Sequence, residues 1–213
     1  MAAIDLPREC THLSLLTAMQ EAHVFNQEWE RLVFRVPPQC FVSSSAMALL
    51  GAWGQLCSNQ GKQLKFMGND DILRYLSRMD LFHWIDFEYQ ETFQRHIEVG
   101  RFIPVKLIVD DKSVVEGSNA ICDLILRSFD NGRDLLPSIE WAVFELVDNI
   151  HLHAETPVPG VLCAQFYPNR QRIDIGICDM GRGLKASLEE SIPIWGGHGS
   201  AISKALELSL IHI

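Results

Sequence analysis

The sequence lacks an excess of positive charge, because it has 18 Lys and Arg residues against 27 Asp and Glu residues in a chain of 213. The formal net charge is -9, so we do not expect a surface built to neutralise nucleic-acid phosphates. This charge is compatible with a small anionic ligand that is held together with a metal ion. No apolar window approaches the length of a membrane span, and the start MAAIDLPREC has no basic region followed by an apolar run. We therefore expect a cytoplasmic protein that binds neither nucleic acid nor membrane.

The six cysteines form no CxxC pair and no Cys/His spacing that suits zinc. They are predicted to be free thiols buried in the core, as is usual in a reducing compartment. The sequence also has no repeat and no low-complexity tract. Its organisation is therefore predicted from periodicity and from helix- and strand-breaking residues.

Strand-like and helix-like segments alternate in the first half of the chain. RLVFRV, residues 31–36, is typical of a strand and is followed by Pro37 and Pro38. The next segment begins with serines suited to a helix N-terminus and ends at Gly61, as a helix does. KQLKFMG then predicts a second strand, and NDDILRYLSRMDLF predicts a second capped helix. This alternation predicts a small α/β domain.

A boundary between two domains is predicted near Gly100, which gives one domain over residues 1–100 and another over residues 101–213. After the boundary, RFIPVKLIVDD predicts a strand interrupted at Pro104. Two helices are predicted next, VVEGSNAICDLILRSF and SIEWAVFELVDNIHLHA. VLCAQFYP and RIDIGICDMG then predict two strands of a hairpin, joined by a turn at Asn169-Arg170.

The second of these helices carries Glu145, Asn149 and His153 along the edge of an apolar stripe. The stripe is predicted to consist of Ile139, Ala142, Val143, Leu146 and Ile150. Other apolar residues cover much of the remaining circumference, so the helix is predicted to pack on more than one side. Burying a polar group without a partner costs about 1–3 kcal/mol. The edge with Glu145 and Asn149 is therefore expected to face an enclosed space in which it meets something polar.

A second candidate site, Asp179-Met-Gly181-Arg-Gly183, directly follows the predicted strand IDIGIC. Two glycines at this spacing let the backbone turn tightly and let a flat ligand approach without meeting a Cβ atom. The carboxylate of Asp179, at the strand end, is able to accept a hydrogen bond from an exocyclic amine.

Together, Glu145-x-x-x-Asn149 and Asp179-x-Gly181-x-Gly183 resemble the N-box and first glycine box of the GHKL ATP-binding fold. Gyrase, Hsp90-type chaperones, mismatch-repair ATPases and histidine kinases share this fold, and ELVDNIHLHA is most similar to the anti-sigma-factor serine kinases. The resemblance spans residues 101–213 and implies ATP and Mg²⁺ as cofactors in a GHKL (Bergerat) α/β sandwich.

The resemblance also implies roles for the matching residues. Asn149 would hold the Mg²⁺ ion that bridges the phosphates, and Asp179 would bind the adenine amine beside Gly181 and Gly183. Glu145 would be the general base that activates a water molecule or an acceptor hydroxyl. Two residues keep alternatives open. His153 is either a helix C-terminal cap or a phosphate contact, and Arg182 is either a solvated loop residue or a phosphate contact.

The first half resembles a STAS-type domain, the fold of anti-sigma-factor antagonists, over FVSSSAMALLGAWGQLCSNQGKQLKFMGNDDILRYLSRMDLF. In phosphorylatable members of that family, an acidic residue and a serine begin the helix. Here Ser43 occupies the acidic place and Ala46 a place usually held by glycine. We therefore expect Ser44 to cap the helix rather than to accept a phosphate.

The GHKL pattern requires a second glycine box after a mobile lid, then a helix and a final strand. In GGHGSAISKALELS, Gly197 and Gly199 are read as that box, or SAISKALELS is read as a lid helix. We favour the second interpretation, because few residues remain after that helix. It predicts that the glycine box and the last strand lie beyond Ile213, so that the ATP-binding domain is incomplete at its C-terminus.

These observations predict an ATP-binding regulatory protein of signal transduction, with Mg²⁺-dependent phosphoryl transfer or ATP hydrolysis as its enzymatic activity. One alternative is a non-catalytic module whose bound ATP sets its affinity for a protein partner. Another is a scaffold that binds no nucleotide, in which case the motif match is accidental. We expect a protein partner that takes part in regulation. The sequence is compatible with a monomer and with a homodimer.

Overall fold

The computed structural model describes residues 2–25, 28–95, 100–153, 155–190, 192 and 196–211. The strands are β1 (Ala2–Asp5), β2 (Glu9–Cys10), β3 (Arg31–Val36), β4 (Phe41–Val42), β5 (Gln63–Gly68), β6 (Phe102–Ile108), β7 (Gly160–Tyr167) and β8 (Arg172–Cys178). The helices are α1 (His12–Glu21), α2 (Ser44–Asn59), α3 (Asp70–Arg78), α4 (Leu81–Trp84), α5 (Asp111–Ser128), α6 (Gly132–His153), α7 (Gly183–Glu189) and α8 (His198–Ile211). The predicted α/β class is confirmed, with parallel and antiparallel sheets.

The first half of the chain builds a parallel sheet in the order β1-β3-β5, and β2 and β4 form a separate two-stranded parallel pair. Ile4, Phe34 and Phe66 lie side by side in the parallel sheet, and the two phenylalanine rings stack with centroids 5.0 Å apart. All three side chains are buried. Apolar pairs on neighbouring strands therefore fix the register of this sheet.

The second half builds an antiparallel sheet in the order β6-β7-β8. Its register shifts between Ile103 and Lys106, around Pro104, which has no N–H to give to a ladder. At this bulge the N–H of Val105 donates instead to the carbonyl of Met79 at 2.8 Å. The Val105 carbonyl accepts from the indole of Trp84 at 2.9 Å. The interruption predicted at Pro104 thus joins the two halves of the chain.

Helix α2 and the pair α5 and α6 cover opposite faces of the antiparallel sheet. Along β7, Val161 and Cys163 belong to the core that contains α2, whereas Leu162 and Ala164 belong to the core under α5 and α6. A Cβ atom on Gly51 of α2 would lie 3.3 Å from Val161, so a small residue allows this close approach. The two predicted domains, 1–100 and 101–213, therefore share one apolar core through α2.

Several element boundaries differ from the predicted ones. The helix predicted over NDDILRYLSRMDLF divides into α3 and α4, because Asp80 takes a left-handed conformation with φ of 59°. Helix α6 begins at Gly132, before the predicted start at Ser138, and includes Pro137. Strand β1 and helix α1 were not predicted from periodicity, although Thr11 and Ser14 form a capping box at the start of α1.

The six cysteines are free thiols, and five of them are buried. Burial raises the pKa of Cys10 and of Cys57 to about 12, so both thiols stay protonated near neutral pH. None of the helices in the described ranges is long and apolar enough to cross a membrane.

Candidate functional site

Helix α6 buries one narrow face rather than two. Val143, Val147 and Ile150 are buried, while Glu145 and Asn149 lie on the exposed arc. Leu146, assigned to the buried stripe from the sequence, is 57% exposed. The prediction that the polar edge faces an enclosed space is therefore wrong, because the helix packs on α5 and the sheet and has solvent on its other side. The two polar side chains remain accessible to a ligand.

The C-terminal end of α6 lies beside the end of β8. A Cβ atom added to Gly160 would come within 2.4 Å of Ile150, so α6 crosses the start of β7 in close contact. The next residue of β7, Val161, pairs with Cys178, the last residue of β8. The chain direction thus brings Asn149, next to Ile150, to the same end of the sheet as Asp179.

Asp179 forms a tight turn directly after β8. Its Oδ1 accepts a hydrogen bond from the N–H of Gly181 at 2.8 Å, which is an Asx turn. The N–H of Met180 donates to Thr156 Oγ1 at 3.3 Å, and Thr156 Oγ1 donates to the Val158 carbonyl at 2.6 Å. The segment that follows α6 therefore holds the Asp179 turn in place.

The two glycines of the motif differ in their surroundings. Gly183 begins α7 with φ of +77° and has no atom within 4 Å of the position that a Cβ would occupy. The positive φ favours glycine there, and the space beside it is open. Gly181 is half-buried in the Asp179 turn. The backbone at Gly183 is therefore accessible to a flat or anionic ligand.

Arg182 forms ion pairs within the protein. Its guanidinium forms an ion pair with Glu155 at 3.3 Å and a second ion pair with Glu190. The hydrogen bond that Arg182 donates to Glu190, followed by the charges of Glu155 and Glu190, raises the pKa of Arg182. Arg182 thus connects the segment that follows α6 with the end of α7.

Two further residues of the predicted site, Asn149 and His153, lie near the C-terminal end of α6. The backbone of His153 ends α6, but its side chain lies outside the described residues. Asn149 offers an amide oxygen on the exposed arc of α6. Within the described ranges, no group of three or more His, Cys, Asp and Glu side chains is placed to hold a metal ion. A Mg²⁺ ion that takes most of its ligands from phosphates and water needs only one or two protein ligands.

Ser43, not Ser44, caps helix α2. Ser43 has an extended backbone, and its Oγ accepts from the N–H of Ala46 at 3.2 Å. Ser44 lies inside the helix and is 1% exposed, with its hydroxyl donating to the carbonyl of Asp174. The cap prediction for Ser44 is wrong because β8 lies against this residue. The burial of Ser44 agrees with the expectation that its hydroxyl does not accept a phosphate group.

The region of the second glycine box contains helix α8, as either interpretation requires. Gly197 and Gly199 lie at its start, and a Cβ added to either would meet nothing within 4 Å. Ala201 is buried where α8 packs near α7. Both the glycine-box and the lid-helix interpretations stay predictions.

Sequence reasoning did not identify Thr156 as part of this site. The signal available was weak, since a Thr-Pro pair after a helix indicates only a turn. Its hydrogen bond to Met180 depends on strands β7 and β8 bringing two distant loops together.

Searches against known protein families, curated proteins and solved structures find no match for this chain.

Proposed function

We propose that the chain is an ATP-binding regulatory protein, with a GHKL-type nucleotide site in its second half and a STAS-like first half. One observation carries the proposal: the residues directly after α6 contact the turn that follows β8. Thr156 binds Met180, and Glu155 binds Arg182, so the Glu145-x-x-x-Asn149 helix and the Asp179 turn adjoin. The two motifs are far apart in sequence, and their juxtaposition is what a shared ligand needs.

The donor and acceptor groups of this region fit an adenine nucleotide with Mg²⁺. One oxygen of Asp179 holds the turn, and the carboxylate has a second oxygen for an exocyclic amine. Gly183 leaves its backbone open, and Asn149 presents a hard oxygen ligand. Bound Mg²⁺ would neutralise phosphate charge and orient the phosphates. Glu145, one helical turn before Asn149, would take a proton from a water molecule or an acceptor hydroxyl.

A non-catalytic module, in which ATP only sets affinity for a protein partner, is the second candidate. The exposure of Glu145 favours it, because a general base is usually poised by an enclosed site. Release of phosphate, or transfer of phosphate to a protein, separates the two candidates.

The proposal is tested by isothermal titration calorimetry of the folded chain with ATP and with GTP, each with and without Mg²⁺. We expect saturable, Mg²⁺-dependent binding of ATP and much weaker binding of GTP, since the acceptor Asp179 repels the guanine carbonyl. Heats that do not saturate for either nucleotide at millimolar concentration contradict the proposal.

A further inference from the structure

Helices α5 and α6 form an antiparallel hairpin whose outer surface is apolar and acidic. Only three residues separate Ser128 from Gly132, so the two helices are direct neighbours. At one end His151 Nε2 lies 2.9 Å from Asp111 Oδ1. Farther along, burial and, to a smaller extent, the charge of Glu140 raise the pKa of the Cys122 thiol, which indicates that these two residues are neighbours. These two pairs fix the alignment of the helices.

This alignment places two apolar ladders along the outer seam of the hairpin. On α5 the ladder consists of Val115, Cys122 and Leu126, and on α6 of Pro137, Trp141 and Phe144. The spacings of three, four and seven residues put each set on one side of its helix. We call these six residues the α5–α6 groove. Cys122 is buried at the base of the groove, whereas three other members remain partly exposed: Val115 is 45%, Phe144 40% and Leu126 38% exposed.

The groove differs from the candidate nucleotide site on α6. Phe144 and Asn149 are five residues apart and point about 140° apart around the helix axis. A ligand at Asn149 and a partner in the groove therefore contact different sides of α6. This proposal does not rest on the nucleotide site.

The charge around the groove selects among possible partners. Residues 111–153 contain eight acidic and three basic side chains, a large share of the net acidity of the chain. Glu140 lies between Pro137 and Trp141, Asp148 follows Phe144 by about one helical turn, and Asp111 lies at the end of the seam. A second copy of the hairpin or an anionic membrane would bring like charges together, which costs binding energy.

We propose that the α5–α6 groove binds an amphipathic helix with basic flanks from a partner protein. From Val115 to Leu126 the seam rises about 17 Å, which is about three helical turns of a bound segment. Apolar residues of the partner at positions i, i+3, i+4 and i+7 would fill the groove, and its Lys and Arg residues would face Glu140 and Asp148. Helix-in-groove packing suits a seam between two antiparallel helices.

The test uses fluorescence anisotropy with three labelled peptides of about 18 residues, long enough for five helical turns. The first is an amphipathic helix with Lys and Arg flanks, the second has the same apolar residues with Glu flanks, and the third is a scrambled form of the first. We expect saturable binding of the first peptide and at least about tenfold weaker binding of the other two. Hydrogen exchange with the first peptide bound should show protection in α5 and α6.

The variants are Phe144→Ser, Val115→Ser and Glu140→Lys, with Leu13→Ser on α1 as the control. Leu13 is 66% exposed, so its replacement removes an equally accessible apolar side chain elsewhere. Each groove variant should weaken binding of the first peptide by about tenfold. Truncating an apolar side chain of an interface, or reversing a charge that faces the partner, reduces affinity by about this much. The control should bind as the wild type does.

Three results would overturn the proposal. The first is equal binding of the basic and scrambled peptides, which indicates charge attraction alone. The second is protection outside α5 and α6, or no saturable binding of the first peptide. The third is a wild-type dimer, seen by analytical ultracentrifugation, that Phe144→Ser dissociates, because a second copy would then occupy the groove.

Discussion

The N–H of Ser44 donates to the carboxylate of Asp174 at 3.0 Å, and the hydroxyl of Ser44 donates to the carbonyl of Asp174 at 2.9 Å. These bonds join the first turn of α2 to β8. The negative carboxylate lies where unpaired N–H groups give the helix terminus a partial positive charge, which is a favourable arrangement. The thiol of Cys163 donates to the Ser44 carbonyl at 3.3 Å. The two halves of the chain are therefore joined by polar contacts that depend on these particular side chains.

Gly176 should be required for this joint. A Cβ atom at Gly176 would lie 2.0 Å from the Ser44 carbonyl oxygen, so Gly176→Ala must displace the backbone of α2. We expect a loss of about 1–3 kcal/mol in the free energy of unfolding, as overpacked sites show. Urea unfolding followed by circular dichroism measures it. Gly197→Ala is the control, because nothing lies within 4 Å of its added Cβ. Equal stabilities of the two variants would show that α2 does not pack on β8 in this way.

The sequence predicts most of the regular elements near this joint, because each leaves a local signal. Pro37 and Pro38 follow β3, Gly61 follows α2, and Pro104 marks the bulge in β6. What local signals do not predict is which elements meet. Small residues in α2 such as Gly51 indicate that another element packs closely on this helix, but they do not indicate that this element is β7.

The same limit applies to the candidate site. The motif at Asp179 predicts a turn, and the turn is present, closed by a hydrogen bond from the N–H of Gly181 to Asp179 that the sequence did not predict. The exposure of Glu145 and Asn149 was not predicted, because α6 is apolar around much of its circumference. Leu146 and Phe144 stay in solvent, so periodicity overestimates how many faces are packed. Hydrophobic pattern alone does not say which apolar face finds a neighbour.

Glu91 should contribute stability that depends on pH. Its hydrogen bond with Arg95, followed by that with Ser77, lowers the pKa of Glu91 from 4.5 to about 2. The folded state thus favours the ionised form, so the contribution is complete above pH 4.5 and is lost as the pH falls toward about 2. Because the pair is partly exposed, we expect only about 0.5–1 kcal/mol at neutral pH.

Urea unfolding of wild type and Glu91→Gln across this pH range checks the expectation. The difference in the free energy of unfolding between the two proteins should decrease as the pH falls from 4.5 to about 2. Glu88→Gln, an exposed carboxylate on the same segment, serves as the control for the loss of one charge. A difference that is constant with pH, or that grows in acid, contradicts the assigned role.

Asp179→Asn should weaken adenine-nucleotide binding without unfolding the turn. The asparagine oxygen still accepts from the Gly181 N–H, but the charge-assisted bond to an adenine amine is lost. We expect a loss of about 1.5–3 kcal/mol, or roughly ten- to a hundredfold in Kd. Calorimetry with Mg-ATP measures it, with Glu9→Gln as an exposed charge control. An unchanged affinity in a folded variant removes the adenine assignment from Asp179.

Asn149→Ala should remove the magnesium dependence of nucleotide binding. An ion that bridges the phosphates stabilises the bound ground state, so loss of its protein ligand weakens binding itself. ATP titrations with Mg²⁺ and with EDTA should differ for the wild type and coincide for the variant. Asn119→Ala, on the exposed side of α5, is the matched control. Should Asn149→Ala keep the full magnesium effect, the ion is held by other groups.

Glu145→Gln separates catalysis from binding, because glutamine keeps the shape and hydrogen bonding of glutamate while it removes the basicity. If Glu145 is the general base, the variant binds Mg-ATP as the wild type does but loses about a hundredfold or more of turnover. The measurements are calorimetry for binding and phosphate release or phosphoprotein formation for turnover. Glu140→Gln, which lies five residues earlier on α6 and is also exposed, controls for loss of one charge. Wild-type turnover by Glu145→Gln removes the general-base role from Glu145, whereas no turnover by either protein while both bind ATP assigns the site to binding alone. ATP would then act by setting the conformation that a protein partner recognises.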